Sequence, residues 1–201
     1  MLYRVIFLLV LINCAGPGNN IILRNSQKSY VELNDLYKAC KGKGKIDSFG
    51  EIKGKLSFSF MSQRDSTFIV FNDIIGRKAL LLWVTSNIIT ARDLIKNKQY
   101  DYDQIKYMFP IMHTIEPNDL TRLVWGIQPE SRGNQKRSES RKKNKSKINY
   151  VRDKLAGEKR SLVGAKFYNK ESNQGVNIEI TSRDMQSEPI NMKKVWKLLK
   201  Y

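Results

Sequence analysis

The stretch KLSFSFMSQRDSTFIVFNDIIGRKALLLWV, residues 55–84, decides the fold of this chain. Within it, Phe58 and Phe60 alternate with serines, which is the period-two pattern of a half-buried strand. Two further apolar runs follow at residues 67–71 and 79–84, and short polar segments separate the three runs. Because short connections join antiparallel neighbours, the stretch predicts three consecutive strands in a meander.

Helices are predicted on both sides of this meander. Residues 29–40 carry a short apolar stripe, residues 90–98 begin with a capping threonine, and residues 102–109 end before a proline. Residues 118–125 combine a capping asparagine with apolar positions at helical spacing. Between the first helix and the meander, Lys41–Lys45 reads KGKGK and is predicted to be a flexible basic turn.

The last part of the chain adds one strand and one helix. Residues 176–180 alternate between apolar and polar side chains, which predicts a strand. Met192, Val195, Trp196 and Leu199 recur at helical spacing among lysines, which predicts an amphipathic basic helix. This helix has three interpretations: it covers one face of the sheet, it lies on an anionic membrane, or it lines an RNA groove.

Together these elements predict an α/β fold. We expect a mixed β-sheet that contains the antiparallel meander, with helices packed on its faces and a disordered basic insertion. Residues 1–50 are predicted to be an N-terminal extension, and residues 51–201 a single RNA-binding domain interrupted by the insertion at 131–148.

The chain is strongly basic, with 36 lysines and arginines against 19 acidic residues and a formal net charge of +17. Such an excess repels itself in a compact fold and is typical of proteins that bind nucleic acid or an anionic membrane. Hydrophobic residues make up 41% of the chain, which is enough for a core. RNA is the favoured partner, and an anionic membrane is the second candidate.

The strongest functional feature of the sequence is a basic tract at residues 131–147. It contains one acid, Glu139, and no apolar side chain, so it is predicted to be disordered when free. Basic side chains that neutralise phosphates release condensed counterions, so the tract predicts salt-sensitive RNA binding. The alternative is a solvated linker. The predicted RNA-binding residues of the tract are Arg132, Lys136, Arg137, Arg141, Lys142, Lys143, Lys145 and Lys147.

No enzyme motif is found in the sequence, and we predict neither catalysis nor a cofactor. Cys14, Cys40 and His113 provide three cysteine or histidine ligands, one fewer than a structural zinc site requires. Asp101 and Asp103 form a DxD pair of the kind common on solvated loops. His113 is the one candidate general base of a metal-free ribonuclease, although a lone histidine is more often structural.

The N-terminal segment has two interpretations. Arg4 precedes an apolar run at residues 5–12, followed by Cys14, Ala15 and a Gly-Pro-Gly sequence. This order is typical of a signal peptide cut after Ala15, or of a loose lipoprotein box that ends at Cys14. The same run is equally typical of a buried strand bounded by a turn, and it is too short to span a bilayer.

Two separated stretches resemble the small-subunit ribosomal protein eleven family, a platform component of the small ribosomal subunit. The first is residues 66–73, STFIVFND, followed by Gly76 and Trp83. The second is residues 180–184, ITSRD, followed by a proline and by Asn191. The chain departs from the family pattern at residues 87–90, where a basic glycine-rich segment is expected, and at the C-terminus, where the basic helix replaces the family's tail.

The resemblance implies a mixed α/β domain that binds ribosomal RNA and has no catalytic activity. It adds Arg183 and Asn191 to the predicted RNA contacts, and the C-terminal helix adds Lys193 and Lys194. The basic insertion suits an organelle-encoded version of the family.

The predicted function is therefore a structural RNA-binding protein of the small ribosomal subunit. Its predicted partners are ribosomal RNA and neighbouring ribosomal proteins, and its predicted location is the mitochondrion. Two alternatives remain open. One is an exported basic protein, either a lipoprotein or a secreted ribonuclease-like toxin, and the other is a viral matrix-type protein that holds RNA against lipid.

Overall fold

The computed structural model describes residues 29–50, 53–108, 112, 115–129, 146–153 and 161–199. These residues form nine strands and four helices. The strands are β1 Ala39–Phe49, β2 Gly54–Gln63, β3 Ser66–Asn72, β4 Lys78–Val84, β5 Ile89–Asp93, β6 Lys98–Tyr100, β7 Ser146–Arg152, β8 Leu162–Asn169 and β9 Gln174–Gln186. The helices are α1 Tyr30–Leu36, α2 Tyr102–Met108, α3 Pro117–Val124 and α4 Lys193–Leu199.

All nine strands belong to one sheet, in the order β6-β5-β4-β3-β2-β1-β9-β8-β7. The predicted meander is confirmed and extends further than expected, from β1 to β6. The predicted strand at residues 176–180 lies within β9, and it joins the same sheet by pairing with β1. The last three strands then continue the sheet from β1 outward.

The predicted α/β class with a mixed sheet is wrong, because every pair of neighbouring strands is antiparallel. Two segments account for much of the error. Residues 90–98, predicted to be a helix, form most of β5 and the start of β6, while Lys41–Lys45, predicted to be a turn, lies inside β1. In both segments, pairing with neighbouring strands outweighs the local preference of the residues.

The helices predicted at residues 29–40, 102–109 and 118–125 and at the C-terminus correspond to α1, α2, α3 and α4. Ser29 begins α1 with a capping box, in which its Oγ accepts from the Glu32 N–H and the Glu32 carboxylate accepts from the Ser29 N–H. Helix α3 begins two residues earlier than the predicted Asn118 cap implies, because Glu116 is the cap residue and Pro117 lies in the first turn.

Strand β1 lies in the interior of the sheet, between β2 and β9. Residues 39–49 of the predicted N-terminal extension are therefore part of the sheet. Glycines make this position possible, because a Cβ at Gly44 would overlap the Phe58 ring and the Glu179 carbonyl oxygen. The rings of Phe58 and Phe60 extend over Gly44 and Gly42 and are buried there.

The sheet buries apolar side chains on both faces. On one face, here called the helix-covered face, α1, α2 and α3 pack over Phe58, Phe60, Ile69 and their neighbours. On the opposite face, Val195 of α4 packs on Phe68, Val70 and Leu81. The interpretation of the C-terminal helix as a cover for the sheet is confirmed.

The close approach at Gly44 generates a testable prediction. Gly44→Ala should lower the free energy of unfolding by about 1–3 kcal/mol, because the added methyl group forces the Phe58 ring or the β9 backbone to move. Urea denaturation measures this change. The control is Gly54→Ala, where the added Cβ meets no atom closer than 4.0 Å; equal stability of the two variants would contradict the packing described for β1.

Candidate functional site

Helix α3 is fixed to the sheet by a chain of buried hydrogen bonds. The Trp125 Nε1–H donates to Ser62 Oγ at 2.7 Å, and Ser62 Oγ lies 2.7 Å from Thr67 Oγ1. Thr67 Oγ1 in turn lies 3.0 Å from Thr121 Oγ1 of the helix. All four side chains are buried, and a buried polar network of this kind favours one orientation of the helix.

Helix α1 is held on the same face by a smaller contact. Leu33 is its buried residue, whereas Val31 and Leu36 are exposed. The Tyr30 ring meets the Trp125 ring edge-on at 5.7 Å, and the Tyr30 hydroxyl donates to the Arg64 carbonyl oxygen at 3.0 Å. The attachment of α1 therefore depends on α3.

Arg183 of β9 joins the end of α3 to two strands. Its Nε–H donates to the Val124 carbonyl oxygen at 2.6 Å, and its Nη2–H donates to the carbonyl oxygens of Leu123 at 3.2 Å and Leu162 at 2.9 Å. Its Nη1–H donates to Ser161 Oγ at 3.1 Å. Burial lowers the pKa of the Arg183 guanidinium. The negative end of the α3 dipole compensates for part of that desolvation.

A bulge in β9 directs Arg183 towards α3. Lys43 pairs with Ser182 and Gly44 pairs with Ile180, so Thr181 has no partner on β1. Side chains of a regular strand alternate between the two faces, so residues three apart would lie on opposite faces. The extra residue brings Ile180 and Arg183 to the same face.

Gly126 ends α3 in a conformation that accommodates the guanidinium. Its φ of +82° lies in the left-handed region that glycine adopts readily, and its N–H donates to the Leu123 carbonyl oxygen at 3.0 Å. A Cβ at this position would lie 2.9 Å from Arg183 Nη1. The chain thus turns away from the helix just where Arg183 approaches.

Cys40 lies beside this junction as a protonated thiol. Its side chain is fully buried, and its Sγ lies 3.7 Å from the Val124 carbonyl oxygen. Burial raises the pKa of the thiol to about 12. Because thiolate is the reactive form of cysteine, Cys40 has a structural role here and is a poor nucleophile.

Beyond the part of the face that α3 occupies, the apolar surface continues across five strands as a half-buried band. We call this band the apolar strip. Ile46 pairs with Leu56 on one side and with Ile178 on the other, and the buried Ala165 and Phe167 of β8 continue the band to β7. The half-buried side chains of the strip are Ile46, Leu56, Ile148, Tyr150, Val176 and Ile178.

The strip has one hydroxyl group, on Tyr150. Burial raises the pKa of Tyr150, and the Asp119 carboxylate in the first turn of α3 raises it further. Tyr150 pairs with Ala165, which pairs with Ile178, so Tyr150 lies in the same row across the sheet as Ile178. The arrangement is an elongated apolar surface with a hydroxyl group at its β7 end.

Among the described residues, no group of three or more histidine, cysteine or acidic side chains could hold a metal ion. Asp101 and Asp103, considered above as a DxD pair, serve α2: Asp101 Oδ1 accepts from the Gln104 N–H, and the Asp103 carboxylate pairs with Lys106 at 2.6 Å. Cys14 and His113 lie outside the described residues. The absence of catalysis remains a prediction.

The predicted RNA-binding residues are not brought together in the part of the chain that the structure describes. Lys147 is exposed on β7, and Lys193 and Lys194 are exposed on α4, where Asn191 Oδ1 accepts from the Lys193 N–H. Arg183, in contrast, directs its guanidinium into the protein. Outside the described residues lie Arg132, Lys136, Arg137, Arg141, Lys142, Lys143 and Lys145.

No protein-family model matches this chain, and no curated protein matches it. A solved structure is similar: the crystal structure of a LolA superfamily protein from Nitrosomonas europaea. The match covers 78% of this chain and 91% of that chain, with a TM-score of 0.47 and 7% sequence identity. None of the described helices is long and apolar enough to cross a membrane.

The prediction of a ribosomal RNA-binding component is corrected by the fold. Every pair of neighbouring strands is antiparallel, whereas the ribosomal prediction depended on a mixed α/β domain. Ribosomal RNA and ribosomal proteins as partners, and the mitochondrial ribosome as location, are corrected with it. None of the three comparisons tests the resemblance of the two short motifs.

Sequence reasoning missed the apolar strip and the role of Arg183. The alternation at residues 176–180 was visible, and residues 148–151, INYV, carry a similar but shorter signal. Which side of each strand faces the helices depends on register, which a single strand does not reveal. The family resemblance predicts an RNA contact for Arg183, but the bulge that turns its side chain inward has no local signature.

The contacts of Arg183 generate a second prediction. Arg183→Met should lower the free energy of unfolding by about 3 kcal/mol, because three carbonyl oxygens and one hydroxyl lose a donor in a buried site. Amide exchange in α3 should accelerate at the same time. The control is Arg77→Met, which removes an arginine whose ion pair with Asp73 is exposed to water. Unchanged exchange in α3 would show that Arg183 does not fix the helix.

Proposed function

We propose that this protein is an exported, non-catalytic binding protein that holds an apolar ligand of the acyl-chain class. The apolar strip is the observation that supports this proposal. Its aliphatic side chains are only partly buried, and they adjoin the fully buried Ala165, Phe167 and Ile180 of the core. Contiguous apolar surface of this kind, with a few polar groups at its border, is typical of ligand sites.

The position of the strip also supports a ligand site. The groups that anchor α3, such as Ser62, Thr67 and Arg183, lie towards one end of the strands. Ile46 and Leu56 are six residues from Cys40 and Ser62 along their strands, a distance of about 20 Å. Helix α3 therefore covers one half of the face, and the strip lies on the other half.

The shape of the strip favours a chain-like ligand. It crosses from β2 to β7, which is four steps between neighbouring strands, or about 19 Å. Along each strand it is one or two side chains wide. An extended hydrocarbon chain matches such a surface, and Tyr150 would lie within reach of a polar group on the ligand.

Export is the part of the proposal that depends on the N-terminal segment. Arg4, the apolar run at residues 5–12 and the sequence Asn13-Cys14-Ala15-Gly16 have the order of an export signal. With export, Cys14 is the residue that would carry a lipid, since cysteine ends the lipoprotein box. The protein would then act outside the cytoplasm.

Ligand binding can be tested with cis-parinaric acid, a fluorescent fatty acid, on delipidated protein. Ile178→Asp should weaken binding at least about ten-fold, because the bound chain would meet a desolvated carboxylate. The matched control is Asn177→Asp, which places the same charge on the same strand but on the opposite face. Urea denaturation checks that both variants fold. Equal affinity of the two variants would exclude the strip as the site.

The export hypothesis predicts the mature N-terminus. When the protein is isolated from the cells that express it naturally, mass spectrometry should find either a chain that starts at Gly16 or a lipid on Cys14. Cys14→Ser should abolish the lipid-modified form, and Cys40→Ser should leave it unchanged. An intact Met1 with an unmodified Cys14 would contradict export.

A further inference from the structure

Two neighbouring turns project from the same end of the sheet. Residues 73–77 connect β3 to β4, and residues 94–97 connect β5 to β6. The Leu94 N–H donates to the Ala79 carbonyl oxygen at 2.9 Å, which joins the base of the second turn to β4. Because each turn bridges two adjacent strands, their centres lie about 10 Å apart.

The tips of these turns carry exposed aliphatic side chains. Ile74 is 91% exposed, Ile75 is 69% exposed and Ile95 is 60% exposed. Large aliphatic residues at the tips of turns leave apolar area exposed to water. Such tips indicate a contact with something outside the chain.

Both turns are ordered by their own aspartates. Asp73 Oδ1 accepts from the backbone N–H groups of Ile75 at 3.1 Å and Arg77 at 2.9 Å. Asp93 Oδ1 accepts from those of Ile95 at 2.9 Å and Lys96 at 2.8 Å. These bonds order the backbone of both turns, so little backbone entropy is lost when the isoleucines insert into a partner.

Lysines flank the same tips. Lys78 follows the first turn, and Lys96 and Lys98 lie in and after the second. All three are exposed, and none of them forms an ion pair with a described residue. The nearby Arg77 is paired with Asp73 at 2.8 Å. We call this group the docking end: Ile74, Ile75, Ile95, Lys78, Lys96 and Lys98.

We propose that the docking end binds an anionic lipid bilayer, with the isoleucines in the acyl boundary and the lysines among the headgroup phosphates. Separate convex tips suit a deformable bilayer, whereas a protein partner would need a matching cavity for each tip. The lysines and the net charge of +17 complement an anionic surface. The proposal does not depend on the apolar strip, which lies on a face of the sheet rather than at the tips of its turns.

A position-specific label tests the orientation. The full-length chain carries Cys14→Ser and either Ile75→Cys or Ile88→Cys, and a nitrobenzoxadiazole fluorophore is attached to the new cysteine. Ile88 is 55% exposed in the β4–β5 turn at the opposite end of the sheet, so it is a matched control. Vesicles of equal parts phosphatidylcholine and phosphatidylglycerol should shift the emission of the Ile75→Cys label to the blue and leave the Ile88→Cys label unchanged.

Affinity for the same vesicles provides the second measurement, in the Cys14→Ser background. Ile74→Asn with Ile95→Asn should weaken binding at least about ten-fold, because two inserted side chains are lost. Leu36→Asn with Ile88→Asn removes comparable exposed apolar side chains elsewhere and should have little effect. Each of Lys78→Gln, Lys96→Gln and Lys98→Gln should weaken binding about five-fold, and high salt should abolish the difference.

Three results would overturn the proposal: an unchanged label at position 75, an equal shift at position 88, or equal affinities of the two asparagine pairs. Thermal unfolding of each variant should match that of the parent, since all the substituted side chains are exposed. Binding of cis-parinaric acid should also be unaffected. A failure of membrane docking therefore leaves the apolar-ligand proposal standing, and the reverse also holds.

Discussion

The bulge at Thr181 is the constraint on which the helix-covered face depends. One extra residue in β9 brings Ile180 and Arg183 to the same side of the sheet, beneath the end of α3. From there the guanidinium supplies donors to the last carbonyl oxygens of the helix, which have no partner within the helix itself. Helix α1 then packs on Trp125 through Tyr30, so its position also follows from this junction.

The two faces of the sheet differ in the size and composition of their apolar clusters. On the face covered by α4, Trp83 and Trp196 meet edge-on at 4.8 Å, and Phe68 packs against both rings. Met61, Leu94 and Met192 adjoin this smaller cluster and are partly buried. The face that carries α1, α2 and α3 has the larger apolar cluster, and the apolar strip extends that cluster to β7.

The positive charge of the chain has a different meaning in the structure than in the sequence. In the sequence, the net charge predicts a nucleic-acid partner, and residues 131–147 carry the densest group of basic side chains. Within the described residues, Arg183 is used inside the protein and Lys43 and Lys45 lie on the exposed side of β1. Lys78, Lys96 and Lys98 lie in or beside the two turns that carry the exposed isoleucines. The role of a basic side chain in this protein therefore depends on the residues that surround it, which the net charge does not show.

The sequence by itself determined the strands β2, β3 and β4, part of β9 and the four helices, because apolar periodicity, capping residues and a following proline are local signals. Only the tertiary structure decided that residues 41–45 and 90–93 are strands and that Lys98 begins another, since their hydrogen-bond partners are distant or depend on sheet order. The tertiary structure also brought five strands together to form the apolar strip, and it set the direction of the Arg183 side chain. The strip depends on the register between strands and Arg183 depends on a bulge, and neither can be read from one strand alone.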